Sequence, residues 1–102
     1  ENHRIQAFTP EGKFIAQWAG FRQPCDVFID ADEAVYVPEL QHRMSILSPD
    51  GAVLARWGGE ESRRPGEFVA PHAAWTDSRG DLYVGEVLEG QRVQKFKRVI
   101  AK

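Results

Sequence analysis

Two residues with metal-binding or nucleophilic side chains follow prolines at matching places: Cys25 after Pro24, and His72 after Pro71. Thiolate and imidazole both ligate zinc, but a zinc site takes three or four protein ligands, so these two would need further donors. Cys25 also reads as a small buried apolar residue, and His72 as a hydrogen-bonded histidine near a loop. Glu39 and Glu86 recur at the same interval of 47 residues. Their carboxylates suit a cation site or general-base work. They equally suit ion pairs with Arg4, Arg43 or Arg92, which open the strands that follow. His3 and His42 directly precede Arg4 and Arg43, as further ligand candidates or as polar loop residues. Arg63 and Arg64 form the basic tip of GEESRRPGE, binding residues or a solvated loop. The sequence has no Ser-His-Asp arrangement, glycine-rich phosphate loop or CxxC pair.

The elements that carry these residues are short strands. Arg4–Phe8 alternates with the period of two expected of a strand. In Thr9-Pro10-Glu11-Gly12, proline at the second position and glycine at the fourth suit a type I turn. Phe14–Trp18 is the return strand. Thirty-nine residues on, the hairpin repeats as Arg43–Leu47, Ser48-Pro49-Asp50-Gly51 and Val53–Trp57. A second kind of hairpin also occurs twice, at Pro24–Leu40 and Pro71–Val87, and the latter turns at Asp77-Ser78-Arg79-Gly80. Pro24/Pro71, Asp30/Asp77, Tyr36/Tyr83 and Glu39/Glu86 are all 47 apart because Gly59–Glu67 lengthens the second connection. A last strand, Arg92–Phe96, copies Arg43–Leu47. Nine short strands with turn signals between them, and no helix-period segment, predict an all-β antiparallel fold.

The chain has 102 residues, 42% hydrophobic and 27% charged, with a net charge of −2. That is the composition and length of about one small globular domain. No apolar run approaches the roughly 20 residues of a membrane span, so no membrane partner is expected. The slightly acidic balance argues against nucleic acid, whose affinity rests on Lys and Arg contacts to phosphate. One cysteine excludes an internal disulfide and leaves the compartment unknown.

A four-stranded unit of 40 to 47 residues has the period of a β-propeller blade. Asn2-His3-Arg4-Ile5-Gln6 resembles the NHL-repeat signature, with weaker copies at Gln41-His42-Arg43-Met44 and Gln91-Arg92-Val93-Gln94. Pro71–Val87 resembles the first two strands of such a blade. Trp57-Gly58-Gly59 through Pro65-Gly66-Glu67-Phe68 resembles the loop between blades. Cys25-Asp26-Val27 and His72-Ala73-Ala74 depart from the pattern by lacking the glycine often found there. Glu33 stands where Gly80 stands, a costly choice if φ is positive. With strands lettered a to d from inner to outer edge, the resemblance divides the chain as c-d, a-b-c-d, a-b-c. Residues 2–18 are then the outer hairpin of one blade, 24–57 a complete blade, and 71–96 three strands of the next. NHL propellers have about six blades, so the resemblance implies a longer propeller or a homo-oligomer that supplies the missing strands. In particular, no copy of the strand ending in Trp57 follows Phe96.

In a meander, successive turns fall on alternate ends of the sheet. The long d–a and b–c connections therefore share one rim, which would carry His3, Glu39, His42, Arg63, Arg64, Glu86 and Glu89, with Cys25 and His72 beside it. Loops held by a rigid scaffold commonly carry function. The resemblance implies a non-catalytic module recognising a protein, peptide or small ligand through this rim. The alternative is a metal-dependent enzyme similar to amidating lyases or lactonases, with zinc or calcium at the propeller axis and His72 among its ligands. Trp18, Trp57 and Trp75 read as packing between blades rather than as a stacking surface for ligands.

Overall fold

The computed structural model describes residues 4–8, 10–88 and 91–98; Asn2, His3, Thr9 and Glu89, marked by the sequence as site or turn residues, lie outside them. The chain is all-β. The described residues form nine strands, β1 (Ile5–Phe8), β2 (Phe14–Trp18), β3 (Phe28–Ile29), β4 (Val35–Glu39), β5 (Arg43–Leu47), β6 (Val53–Gly58), β7 (Pro71–Thr76), β8 (Leu82–Glu86) and β9 (Val93–Phe96). They form three antiparallel sheets in sequence order: β1-β2, β3-β4-β5-β6 and β7-β8-β9. Among the described residues no helix is long and apolar enough to cross a membrane.

The sheets stack face to face because successive side chains leave opposite faces of a strand. From β4 and β5, Val35, Val37 and Leu47 point toward the first sheet and pack with Ile5, Trp18 and Phe21. Tyr36 and Met44 point the other way and pack with Phe68, Ala74, Leu82 and Val84. Every residue of β4 is buried as a result. Phe21 and Phe68, each three residues before Pro24 or Pro71, enter as wedges between neighbouring sheets. Phe68 meets Trp57 and Phe96 at ring-centroid distances of 6.1 and 5.8 Å, and Trp57 meets Phe96 at 5.4 Å.

The β3–β4 and β7–β8 turns are built on aspartates. Asp30 Oδ1 accepts the amides of Asp32 and Ala34, both at 2.9 Å, and Oδ2 accepts the Tyr36 hydroxyl at 2.8 Å. Asp77 repeats this with Arg79, Asp81 and Tyr83 at 2.9, 3.1 and 3.0 Å. An aspartate that bonds backbone two residues ahead makes the turn locally. Glu33 adopts φ 67° where Gly80 has φ 83°, so the glutamate does take the left-handed conformation that favours glycine.

The first strands of the second and third sheets differ. β7 runs for six residues, whereas β3 keeps two, after a lone bridge between Pro24 and Glu39. Pro38 accounts for the difference. Its carbonyl accepts the Cys25 amide at 3.0 Å, so its nitrogen faces the β3 side with no proton to give. Gly85, the equivalent residue of β8, keeps its N–H, and β7 pairs alongside it through Ala73.

Candidate functional site

The β2–β3 and β6–β7 connections lie beside the β4–β5 and β8–β9 hairpins and are stitched to them by backbone bonds. Leu40 N–H donates to Gln23 O at 2.9 Å, and Val87 N–H to Ala70 O at 3.0 Å. Glu39 and Glu86 end β4 and β8 at this rim with fully buried side chains.

Each glutamate is the centre of a latch. Glu39 Oε1 accepts the Arg22 amide at 2.6 Å and Arg43 Nη2 at 2.7 Å. Its Oε2 accepts Ser45 Oγ at 2.5 Å, and Arg43 Nε lies 3.1 Å from both oxygens. Glu86 Oε1 accepts the Val69 amide at 2.7 Å; its Oε2 accepts Arg92 Nε at 2.5 Å and Gln94 Nε2 at 2.8 Å. The arginines carry the tie outward. Arg43 Nη2 donates to Gly20 O at 2.7 Å. Arg92 donates to the carbonyls of Arg63, Arg64 and Glu67 at 2.6, 3.4 and 2.7 Å. A carboxylate that accepts from a guanidinium, a backbone amide and a further side chain has its lone pairs engaged. The ion pairs with Arg43 and Arg92 are therefore formed, and the carboxylates serve to hold the long connections.

Ser45 and Gln94 belong to the latches at equivalent positions of β5 and β9, yet the sequence reading passed over them. Their 49-residue spacing equals that of Arg43 and Arg92, the one signal available. Phe-x-x-Pro at Phe21 and Phe68 was a similar unread signal.

His42, at φ 75°, places Nδ1 in hydrogen-bond contact with the Val69 carbonyl, so that nitrogen carries the proton. The next glycine-dependent step is close by. Gly58 has φ 91°, and a Cβ there would collide with the His42 carbonyl oxygen. His72 is exposed on the bulged start of β7. Cys25 is half-buried and donates its thiol to Gln23 O at 3.6 Å; burial pushes its pKa up. Among the described residues no three His, Cys, Asp or Glu side chains converge to hold a metal ion.

Residues 59–70 form the longest connection of the rim and have internal order. Ser62 N–H donates to Phe68 O at 2.9 Å, Glu67 N–H to Arg64 O at 3.0 Å, and Arg64 N–H to Ser62 Oγ at 3.1 Å. Gly66 N–H donates to Gln94 Oε1 at 2.9 Å. The connection borders an open hollow of about 730 Å³ lined by Gly58, Glu60, Glu61, Ser62, Arg64 and Glu67. Arg64, exposed on this loop, presents its side chain there, while the Arg63 and Arg64 carbonyls are held by Arg92. The rim thus brings Glu86, Arg63 and Arg64 together, and joins His42 to Val69. Around its open hollow stand the carboxylates of Glu60, Glu61 and Glu67 and the guanidinium of Arg64. A scan against protein-family models finds no match to the chain, and a search of curated proteins finds none.

Proposed function

We propose that this chain is a stretch of NHL-type β-propeller, divided c-d, a-b-c-d, a-b-c, that recognises a protein, peptide or small ligand through its long-loop rim without catalysis. The observation that carries this reading is the pre-set hollow of residues 58–67. Its loop backbone is fixed by the Glu86–Arg92 latch, and its lining offers three carboxylates and one guanidinium. Such preorganisation lowers the ordering cost of binding, and the excess of carboxylates favours a basic group on the ligand. The propeller assignment is supported by the face-to-face stacking of sheets and by the repeated turn, wedge and latch.

The test is selection from a peptide display library on the purified protein, repeated on Glu61→Lys and Arg64→Glu variants. Enrichment of basic peptides that Glu61→Lys no longer retains is the expected result. Peptides retained equally by both variants would place recognition elsewhere. Stoichiometric zinc or calcium in the purified protein, lost on His72→Ala, would overturn the non-catalytic reading in favour of a metal-dependent enzyme.

A further inference from the structure

The connection that borders the hollow leaves the second sheet at Gly59 and nears the third at Val69, and each of these ends is held twice. Gly59 N–H donates to the His42 carbonyl at 2.7 Å, and Arg22 Nη1 donates to Gly59 O at 2.8 Å. Val69 N–H donates to Glu86 Oε1 at 2.7 Å, and the Val69 carbonyl accepts His42 Nδ1. Arg22 and Glu86 hold one end each, whereas His42 holds both. It takes Gly59 with its main chain and Val69 with its ring.

His42 is itself anchored. It stands in the β4–β5 hairpin directly before Arg43, whose guanidinium is fixed by buried Glu39. With φ at 75°, this one residue presents its carbonyl to Gly59 and its ring to Val69. The clamped ends adjoin the charges of the hollow. Glu60 and Glu61 directly follow Gly59, and Glu67 stands two residues before Val69. A shift of either end therefore moves carboxylates that line the hollow. We propose that His42 is the positioning residue of the hollow: by clamping Gly59 and Val69 it sets Glu60 and Glu61 against Glu67, and with them the affinity for a basic peptide. The proposal rests on the reading of this hollow as the recognition site. Carboxylates held in place before the ligand arrives lower the ordering cost of binding it.

The test compares the unmodified protein with His42→Gly and His42→Asn. Glycine takes a left-handed φ without strain and keeps the carbonyl for Gly59, so it deletes the ring bond alone. Asparagine also visits that region, and its Nδ2 is bonded to Cγ as imidazole Nδ1 is, which leaves a donor for Val69 O. Amide exchange at Ser62 and Gly66, read against the amides of β5, is expected to quicken about fivefold or more in His42→Gly and to stay within about twofold in His42→Asn. Binding of a tetra-arginine peptide, followed by calorimetry at low salt, is expected to weaken about threefold or more in His42→Gly and to be restored in His42→Asn. Unchanged exchange in His42→Gly, or equally fast exchange in both variants, would overturn the clamp. A faster-exchanging loop that binds tetra-arginine as tightly as the unmodified protein does would overturn the link from clamp to affinity. An unmodified protein that takes no tetra-arginine would overturn the recognition reading and the affinity half of the proposal together, and the exchange comparison would still decide the clamp.

Discussion

Removing the Glu86 carboxylate should loosen a connection that the glutamate scarcely touches. In Glu86→Ala the buried Val69 amide loses its acceptor, and Arg92 loses its counter-charge while keeping three loop carbonyls. Breaking one side of a buried ion pair costs about 3–5 kcal/mol. The Arg92 side chain is 27% exposed, so water recovers part of its charge and the lower end, about 3 kcal/mol, applies. For a domain near 100 residues that lowers the melting temperature by roughly 12–24 °C. Glu86→Gln retains an oxygen for Val69 and loses the charge, so about half the effect, ~1.5 kcal/mol, is expected. Urea unfolding followed by Trp fluorescence gives the free energies. Amide exchange at Val69 and proteolysis within residues 59–68 report the local effect, and both should rise more than global destabilisation requires. A loss below about 1 kcal/mol in Glu86→Ala, or an unchanged Val69 exchange rate relative to its neighbours, would refute the latch.

Gly58→Ala forces a Cβ into the His42 carbonyl at a left-handed φ and should cost about 2 kcal/mol or more by chemical denaturation, whereas Gly20→Ala, at φ 87° with nothing within 4 Å, should cost about 1. Burial, reinforced by Asp30, pushes the Tyr36 hydroxyl up to about 12. The folded state then holds its proton more tightly than the unfolded chain, so this contribution to stability is intact below pH 10 and lost as pH rises from 10 to 12. Phenolate absorbance should carry a late step that Tyr36→Phe removes, and a variant with unchanged alkaline titration would contradict it. Cys25, its pKa raised by burial, should react with a disulfide reagent at pH 8 more slowly in the native protein than in urea, where equal rates would be the contrary result.

Much of the secondary structure was legible because turn chemistry is local. Proline and glycine at fixed offsets, and aspartate at 30 and 77, mark turns wherever they occur. Alternation between them marks strands. The positive φ at Glu33 was foreseeable from Gly80 at the matching place. What the sequence concealed lies across space. That Pro38 would shorten β3 depends on which side of β4 its nitrogen faces, a matter of register. The partners of Glu39 and Glu86 were legible as arginines, but Ser45 and Gln94 look like ordinary strand residues until pairing puts them beside a carboxylate. The hollow of residues 58–67 was legible only as a long charged insertion, since its shape comes from bonds to Arg92 and Gln94 on another strand. The rim's His72 and Cys25 share a sequence context, yet one is exposed and the other half-buried.

The two phenylalanine wedges give the molecule a direction. Phe68 precedes β7 in the chain but seals the face of the sheet before it, against Trp57 and Tyr36. During synthesis from the N-terminus, the aromatic face of β3-β4-β5-β6 therefore stays open until the lead-in to the next sheet leaves the ribosome. At about 5–20 residues per second, the stretch from the end of β6 to Phe68 takes about 0.5–2 s. A stalled or truncated chain lacking Phe68 would present Trp57, Tyr36 and Met44 to solvent, and chaperone capture of nascent chains should peak just before that residue emerges.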